Sequence, residues 1–374
     1  MEFIDLKAQY KVLKDEINAE ISEVLNDARF IIGPKVKQLE LELAKYVGRK
    51  HCITCSDGTA ALQLIYMAYG IGAGDAVFCP DMTFFASIEP ACLLGATPVF
   101  CDIDPISYNI SPLSLKNQIE AVIAEGKLNP KAIVAVDFIG NPADFVNITE
   151  IAKEYNLLLI EDAAQGMGAS LNEKKCCSFG DVSATSFFPS KPLGCYGDGG
   201  AVFTDDDDIA EKIKSLRVHG KGADKYHNTR LGMNSRLDTI QAAILLPKLH
   251  VLDKEIELRQ QVAERYNSGL SERYIVPHIC NGCISSYAQY VVMAKEFGKR
   301  EKILTKLKEK DIPSLLYYPV PQHLLPVFEG KINNYCEDFH NTVAYSNEHF
   351  GIPFSPYISA DEQDKVISIL NENY

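Results

Sequence analysis

HCITCSDGTAALQLIYMAYGIGAGDAVFCPDMTFFASIEPACLLGATPVFC, residues 51–101, alternates two kinds of segment. His51 to Cys55, Ala76 to Cys79 and Thr97 to Cys101 are short and apolar, and each reads as a strand. Between them lie a helix that starts at Ser56-Asp57-Gly58-Thr59 and a second helix that runs to Leu94. This beat of strand, loop, helix and strand predicts a mostly parallel sheet covered on both faces. In such a sheet ligands sit at the carboxyl ends of the strands. The residues just past each strand are therefore the ones to read for chemistry.

Four such places stand out. At the first, Ser and Asp are good N-cap residues and Gly58 lets a ligand approach, with Thr59 beside it. A helix N-terminus offers free N–H groups and a partial positive charge, which suits a phosphate; a plain helix cap has the same sequence. At the second, Phe84 and Phe85 follow a strand and could stack on a flat ring or simply be core. At the third, the strands Ala132 to Ile139 and Leu157 to Ile160 lead to Asp162 and Gln165. Asp162 could pair with a protonated ring nitrogen and Gln165 could reach a ring substituent, although Asp also caps helices well.

The fourth place is SATSFFPSKPLGCYGDGGAVFT, residues 183–204. A strand-like run, Ala184 to Phe188, breaks at Pro189 and presents Lys191 between two prolines, with four glycines behind it. The rigid turn aims the amine, and glycines let something bulky approach the backbone. An aimed amine suits Schiff-base chemistry on a carbonyl; the alternative is an ordinary lysine on a surface loop.

The flanking segments carry less chemistry. Helices over residues 3–28 and from Val36 to Tyr46 read as packing elements. Residues 217–236, RVHGKGADKYHNTRLGMNSR, hold five Lys/Arg (Arg217, Lys221, Lys225, Arg230, Arg236) against one acid. This is either an anion-binding loop or a solvated one. A long helix from Leu237 to about Leu270, with a kink expected at Pro247, leads into a smaller alternating region. That region has strands near Tyr287 to Met293 and Ser314 to Tyr318, a helix from Arg300 to Lys310, and a last helix opened by the capping-box pair Ser359 and Glu362. The chain thus divides into a large domain, residues 1–250 with the N-terminal helices, and a small α+β domain, residues 251–374.

Length and composition bound the rest. With 374 residues, 47% hydrophobic and 23% charged, the chain can bury a large core. A net charge of -13 argues against a general nucleic-acid binder. The N-terminus lacks the basic and apolar regions of a secretory leader, and no run approaches the ~18 apolar residues of a membrane helix, so a cytoplasmic location is expected. Among eleven cysteines, Cys52/Cys55 and Cys280/Cys283 have CxxC spacing. A zinc or redox site is one reading. Residues three apart on a strand point to opposite faces, however, so free thiols in a reducing compartment and no metal site are expected.

A phosphate-type helix mouth, an aromatic, an Asp after a buried strand and an aimed lysine are together the parts of a pyridoxal phosphate site. Here the sequence resembles the nucleotide-sugar aminotransferases of the DegT/StrS family, in the aspartate aminotransferase superfamily (fold type I). The resemblance is carried by GPKVKQLELELAKYVGRKH, SDGTAALQL, PDMTFFAS, IEDAAQGMGA, SFFPSKPLGCYGDGGAVFT and RLGMNSRLDTIQAAIL. It implies an α/β fold with a mostly parallel seven-stranded sheet between helices. It implies that Lys191 binds the cofactor as an imine and moves the proton, that Asp162 pairs with the pyridine nitrogen, and that Gln165 contacts the ring hydroxyl. Gly58, Thr59 and Ser186 would hold the phosphate and Phe84 would stack on the ring.

The resemblance also implies a homodimer with a shared site, in which Asn234 reaches the phosphate of the partner's cofactor. Arg236 and His323 would contact substrate. Within the family, the chain is most similar to enzymes that place an amine from L-glutamate on C3 of a UDP-linked 3-keto sugar acid for surface polysaccharide. Amination at C4 of a UDP- or dTDP-hexose is the near alternative. A non-catalytic pyridoxal phosphate or zinc binder is the distant one.

Overall fold

A computed structural model describes residues 1–224, 226–330 and 338–372; Lys225 of the basic loop and Cys336 lie outside them. Seven strands form the central sheet: β1 (His51–Cys55), β2 (Asp75–Pro80), β3 (Thr97–Cys101), β4 (Asn129–Val136), β5 (Leu158–Asp162), β6 (Val182–Ser186) and β7 (Gly200–Thr204). Their spatial order is β1-β7-β6-β5-β4-β2-β3. Neighbours from β6 through β5, β4 and β2 to β3 pair in parallel. β7 runs antiparallel to both β1 and β6. Its reversal has a consequence for the site. Gly200, the first residue of β7, lies opposite Cys55 and Ser186, the last residues of β1 and β6. One sheet edge therefore collects the ends of six strands and the start of the seventh.

The strands are apolar on both faces because both faces are covered. Along β4, Ile133 and Ala135 enter one core while Ala132, Val134 and Val136 enter the other. The first core includes Leu39 and Leu43 of the helix Pro34–Val47 and Leu245 and Leu249 of the long helix Thr239–Gly269. The second takes Leu62, Leu64 and Ile65 of the helix Gly58–Tyr69. A period of two that alternates between two buried faces reads in sequence as an unbroken apolar run.

The long helix runs through Pro247, and its second half, with Val262, Ala263 and Tyr266, belongs to a separate core. That core closes over an antiparallel sheet of Tyr274–Ile275, Tyr290–Ala294 and His349–Ile352. The expected boundary at residues 250 and 251 thus falls inside one helix. The last helix, Ala360–Asn371, opens with the expected capping box of Ser359 and Glu362.

Two expected strands differ where competing hydrogen bonds take their amides. β4 stops at Val136 rather than Ile139. Asn109 Oδ1 takes the Phe138 N–H at 2.9 Å, Gln165 Oε1 takes the Ile139 N–H at 2.5 Å, and Ile139 turns left-handed with φ 51°. Residues 314–318 form no strand beyond one bridge from Leu315 to Gly351. The N–H of Tyr317 goes instead to the His349 ring, Nε2, at 2.8 Å. Both diversions place residues at the site described next.

Candidate active site

A cavity of about 380 Å³ opens at the collecting edge of the sheet. Gly58, Thr59, Phe84, Asp162, Gln165, Ser186 and Lys191 all line it, so seven of the ten sequence-expected site residues meet there.

Lys191 sits on a tight loop. Its N–H closes a turn onto Phe188 O at 2.8 Å, and Cys195 N–H donates to Phe187 O at 2.8 Å. From the long helix, buried Lys248 donates through Nζ to Gly194 O at 2.6 Å, with Nζ 4.1 Å from the centroid of the Tyr196 ring. A Cβ on Gly194 would stand 2.5 Å from Pro189 O, and one on Gly200 2.4 Å from Asp57 O. These two glycines are required by backbone packed on backbone, not by room for a ligand. Gly58 behaves likewise, since its Cβ would come 2.7 Å from the Ser186 Cβ. The Lys191 amine has no hydrogen-bond partner among the described residues. Desolvation holds its pKa below the usual lysine value, with the charge of Asp162 opposing the shift. A larger neutral fraction makes the amine a better nucleophile.

Asp162 is the last residue of β5 rather than a cap beyond it. Ser87 Oγ donates to its Oδ2 at 2.7 Å and the Ala164 N–H to its Oδ1 at 3.1 Å. Ser87 is itself held, with Thr83 Oγ1 2.8 Å from its hydroxyl and Tyr66 OH donating to its carbonyl at 2.7 Å. Burial pushes the Asp162 carboxyl above its usual pKa, against the pull of Ser87, Ala164 and Lys191. Two lone-pair sites remain for a cationic or N–H partner in the cavity. Gln165 is oriented at both ends, by the Ile139 N–H and by Tyr318 OH, to which its Nε2 donates at 3.2 Å.

At the helix mouth, Asp57 Oδ1 takes the Ala60 N–H at 2.7 Å. The amides of Gly58 and Thr59 have no partner among the described residues and are open to an anion. Phe84 is half exposed, its ring centroid 5.7 Å from that of Tyr318.

The structure adds residues that sequence reading missed. Gln289, Tyr317 and Tyr318 also line the cavity and make a wall drawn from the C-terminal region, far in the chain from the strand ends. No strand-end signal marks them. The only hint was a pair of aromatics in the expected strand 314–318.

Three expected residues are not among those lining the cavity. Asn234 is exposed on the basic loop, bridged to Val218, and Arg236 is half-buried there. His323 holds Asp81 Oδ2 at 2.6 Å through Nδ1 and stacks on Phe339, centroids 4.4 Å apart. Within the basic loop, Arg217 is buried and paired with Glu40 at 2.6 Å, so it is not free to meet an anion. The ten described cysteines are free. Neither CxxC pair joins a cluster of metal-ligating groups among the described residues. The cluster found there is buried Asp137, Glu161 and Cys176, in which Glu161 accepts the amides of Cys177 and Phe179 at 2.7 and 2.8 Å. Among the described residues no helix is long and apolar enough to cross a membrane.

Comparison with known proteins agrees with this geometry. The DegT/DnrJ/EryC1/StrS aminotransferase family matches residues 11–371. A UDP-2-acetamido-2-deoxy-3-oxo-D-glucuronate aminotransferase of Pseudomonas aeruginosa is 48% identical over 87% of this chain and 88% of its own. The crystal structure of a DegT DnrJ EryC1 StrS aminotransferase from Brucella abortus has 43% identity and a TM-score of 0.94, over 99% of this chain and 98% of that one. NtdA from Bacillus subtilis, with bound cofactor PMP, has 27% identity and a TM-score of 0.85, over 95% of this chain and 80% of that one.

Proposed function

The chain belongs to the DegT/DnrJ/EryC1/StrS aminotransferase family and is a pyridoxal phosphate-dependent sugar aminotransferase; from that premise we propose its substrates and the roles of its residues. It transfers the amino group of L-glutamate to C3 of UDP-2-acetamido-2-deoxy-3-keto-glucuronic acid, a step in making surface polysaccharide such as O-antigen. The observation that carries this reading is the 48% identity to the 3-oxo-glucuronate aminotransferase, which extends over nearly the whole chain.

The residues present fit pyridoxal phosphate. The cavity offers an amine without a hydrogen-bond partner, a buried carboxylate with open lone pairs and two open helix amides. When bound, the cofactor supplies an electrophilic carbonyl carbon and an electron-accepting ring. Lys191 Nζ would hold that carbon and would carry the proton that moves in transamination. Asp162 keeps the ring nitrogen protonated, and Ser87 and Ala164 keep Asp162 in place. Gln165 donates to or accepts from the ring hydroxyl, while Phe84 covers the ring face. The Gly58 and Thr59 amides and the Ser186 hydroxyl hold the phosphate.

We assign Asn234 to the phosphate of a second protomer's cofactor, in a homodimer with shared sites. Its exposure outside its own cavity supports this role. Arg236 and His323 are assigned to substrate. A large unit, residues 1–250, carries the chemistry and a small one, residues 251–374, closes it, as the separate cores support. The free cysteines support a reducing cytoplasm.

The test is product analysis by NMR after incubation with glutamate and each of three keto sugars: the UDP-linked 3-keto sugar acid, a UDP-4-keto hexose and a dTDP-4-keto hexose. An amine at C3 is expected. Amination at C4, with the 3-keto acid left untouched, overturns the reading.

A further inference from the structure

Gln289 is among the groups at the cavity that the proposed chemistry leaves unused. It precedes the strand Tyr290–Ala294. It is only 4% exposed. Its Oε1 is shut off from solvent and has no hydrogen-bond partner. Several side-chain atoms among the described residues are buried in this way, but Gln289 is the one of them that lines the cavity. Neither end of its amide is hydrogen-bonded within the described chain. Gln165, which also lines the cavity, has both ends satisfied. Native proteins rarely leave a buried polar group without a partner, because the group has given up its water for nothing. Oε1, shut off from solvent, is shut off from the cavity space too, so Nε2, which is not buried in this way, is the end left open to a ligand.

We propose that Gln289 is a specificity-determining residue that hydrogen-bonds the sugar ring of the nucleotide-linked substrate, through a hydroxyl or an acetamido group. The proposal rests on the sugar aminotransferase reading above. Three considerations point to the sugar. The groups assigned to the cofactor come from the strand ends and the loops that follow them, whereas Gln289 comes with Tyr317 and Tyr318 from the C-terminal region and has no part in holding the cofactor. The amino donor glutamate is a poor match, since beyond its reacting amine it presents two carboxylates, which call for a cation rather than a neutral amide. A sugar carrying an acetamido group and hydroxyls presents neutral acceptor oxygens, which an amide N–H can answer. The flanking tyrosines suit the apolar face of such a ring.

The test uses the cofactor-loaded protein and the two half-reactions, each followed by the cofactor's absorbance in single turnover. Gln289→Met keeps the side-chain volume and removes both polar ends. The sugar half-reaction is expected to lose about 10- to 100-fold in kcat/KM, the range for stranding a ligand group opposite an apolar side chain. The glutamate half-reaction, expected to change less than about threefold, shows on the same sample that fold and cofactor are intact. Equal losses in both halves overturn the proposal, because they mark a cofactor or structural role. No loss in either half overturns it too. If the wild-type protein rejects the 3-keto sugar acid, the proposed substrate fails, and the same split is read with whichever keto sugar nucleotide it does aminate.

Discussion

The two sides of the cavity are built by different means. The strand-edge wall takes its groups from the ends of neighbouring strands: the helix mouth after β1, Asp162 ending β5, and Ser186 and Lys191 after β6. Sheet register puts Asp162 beside Ala184 and Ser186 beside Gly200, so these groups are spaced by the backbone ladder itself. The far wall has no ladder behind its tyrosines. Tyr318 is held by the Gln165 amide and by its own N–H to Met82 Sδ at 3.4 Å, and Tyr317 by the His349 ring. The difference teaches a division of labour. Groups assigned to the chemistry stand at the ends of the sheet strands, where small errors in position cost most. Groups that would select the sugar stand on side-chain contacts, one of which, Tyr318 to Gln165, ties them to a residue assigned to the cofactor.

The sharpest way to break this division is Lys191→Ala. If the strand-edge wall performs the chemistry, the variant loses at least about 10⁴-fold in transamination, since it lacks both the nucleophile and the proton carrier. It also fails to give the yellow absorbance of a lysine-bound cofactor when pyridoxal phosphate is added. Measurable turnover by this variant would move the chemistry elsewhere.

Legibility in the sequence followed the same division. The parallel sheet was readable because both periodicity and turn chemistry are local, and the ends of β1, β2, β5 and β6 pointed to the residues that line one side. The glycines near Lys191 were readable as necessary but for the wrong reason. Gly194 and Gly200 admit the protein's own backbone, which only the folded loop reveals. Gln289, Tyr317 and Tyr318 were illegible because no motif joins them. Tyr317 and Tyr318 are brought there through hydrogen bonds between residues far apart in the chain. The strand expected at residues 314–318 failed for the same reason, as a histidine ring more than thirty positions away competes for a ladder N–H. The basic loop was legible only as a count of charges. Its first arginine is spent on Glu40, a pairing invisible to such a count.

Asp162→Asn sharpens the comparison. Neutralising the group assigned to the ring nitrogen removes electrostatic support from both half-reactions, and a loss of about 10²- to 10³-fold in kcat is expected in each. The equality of the two losses is the discriminating result, because a change on the far wall should be unequal. Thermal stability should not fall, since the substitution removes a charge that burial disfavours. Unequal losses would mean that Asp162 acts on one substrate rather than on the shared cofactor.

The smallest effect tests what holds the far wall. His349 is fully buried and its tautomer is fixed: Nδ1–H donates to Tyr345 O at 2.7 Å, and Nε2 accepts the Tyr317 N–H at 2.8 Å. A proton on Nε2 would set two donors against each other. Burial lowers the His349 pKa from 6.5 to about 4, with Arg300 adding to the shift. Between those values the unfolded chain binds a proton that the folded chain refuses, so stability rises with pH across this window and is lost as pH falls through it. The linkage amounts to about 2 kcal/mol between pH 7 and pH 5. Urea titrations of the wild type and of His349→Gln at the two pH values isolate it from the carboxylates both proteins share. The wild type should lose about 2 kcal/mol more than the variant over that interval. Parallel losses would show that the Tyr317 wall does not depend on a neutral His349, and that its hold on the cavity lies in the aromatic packing instead.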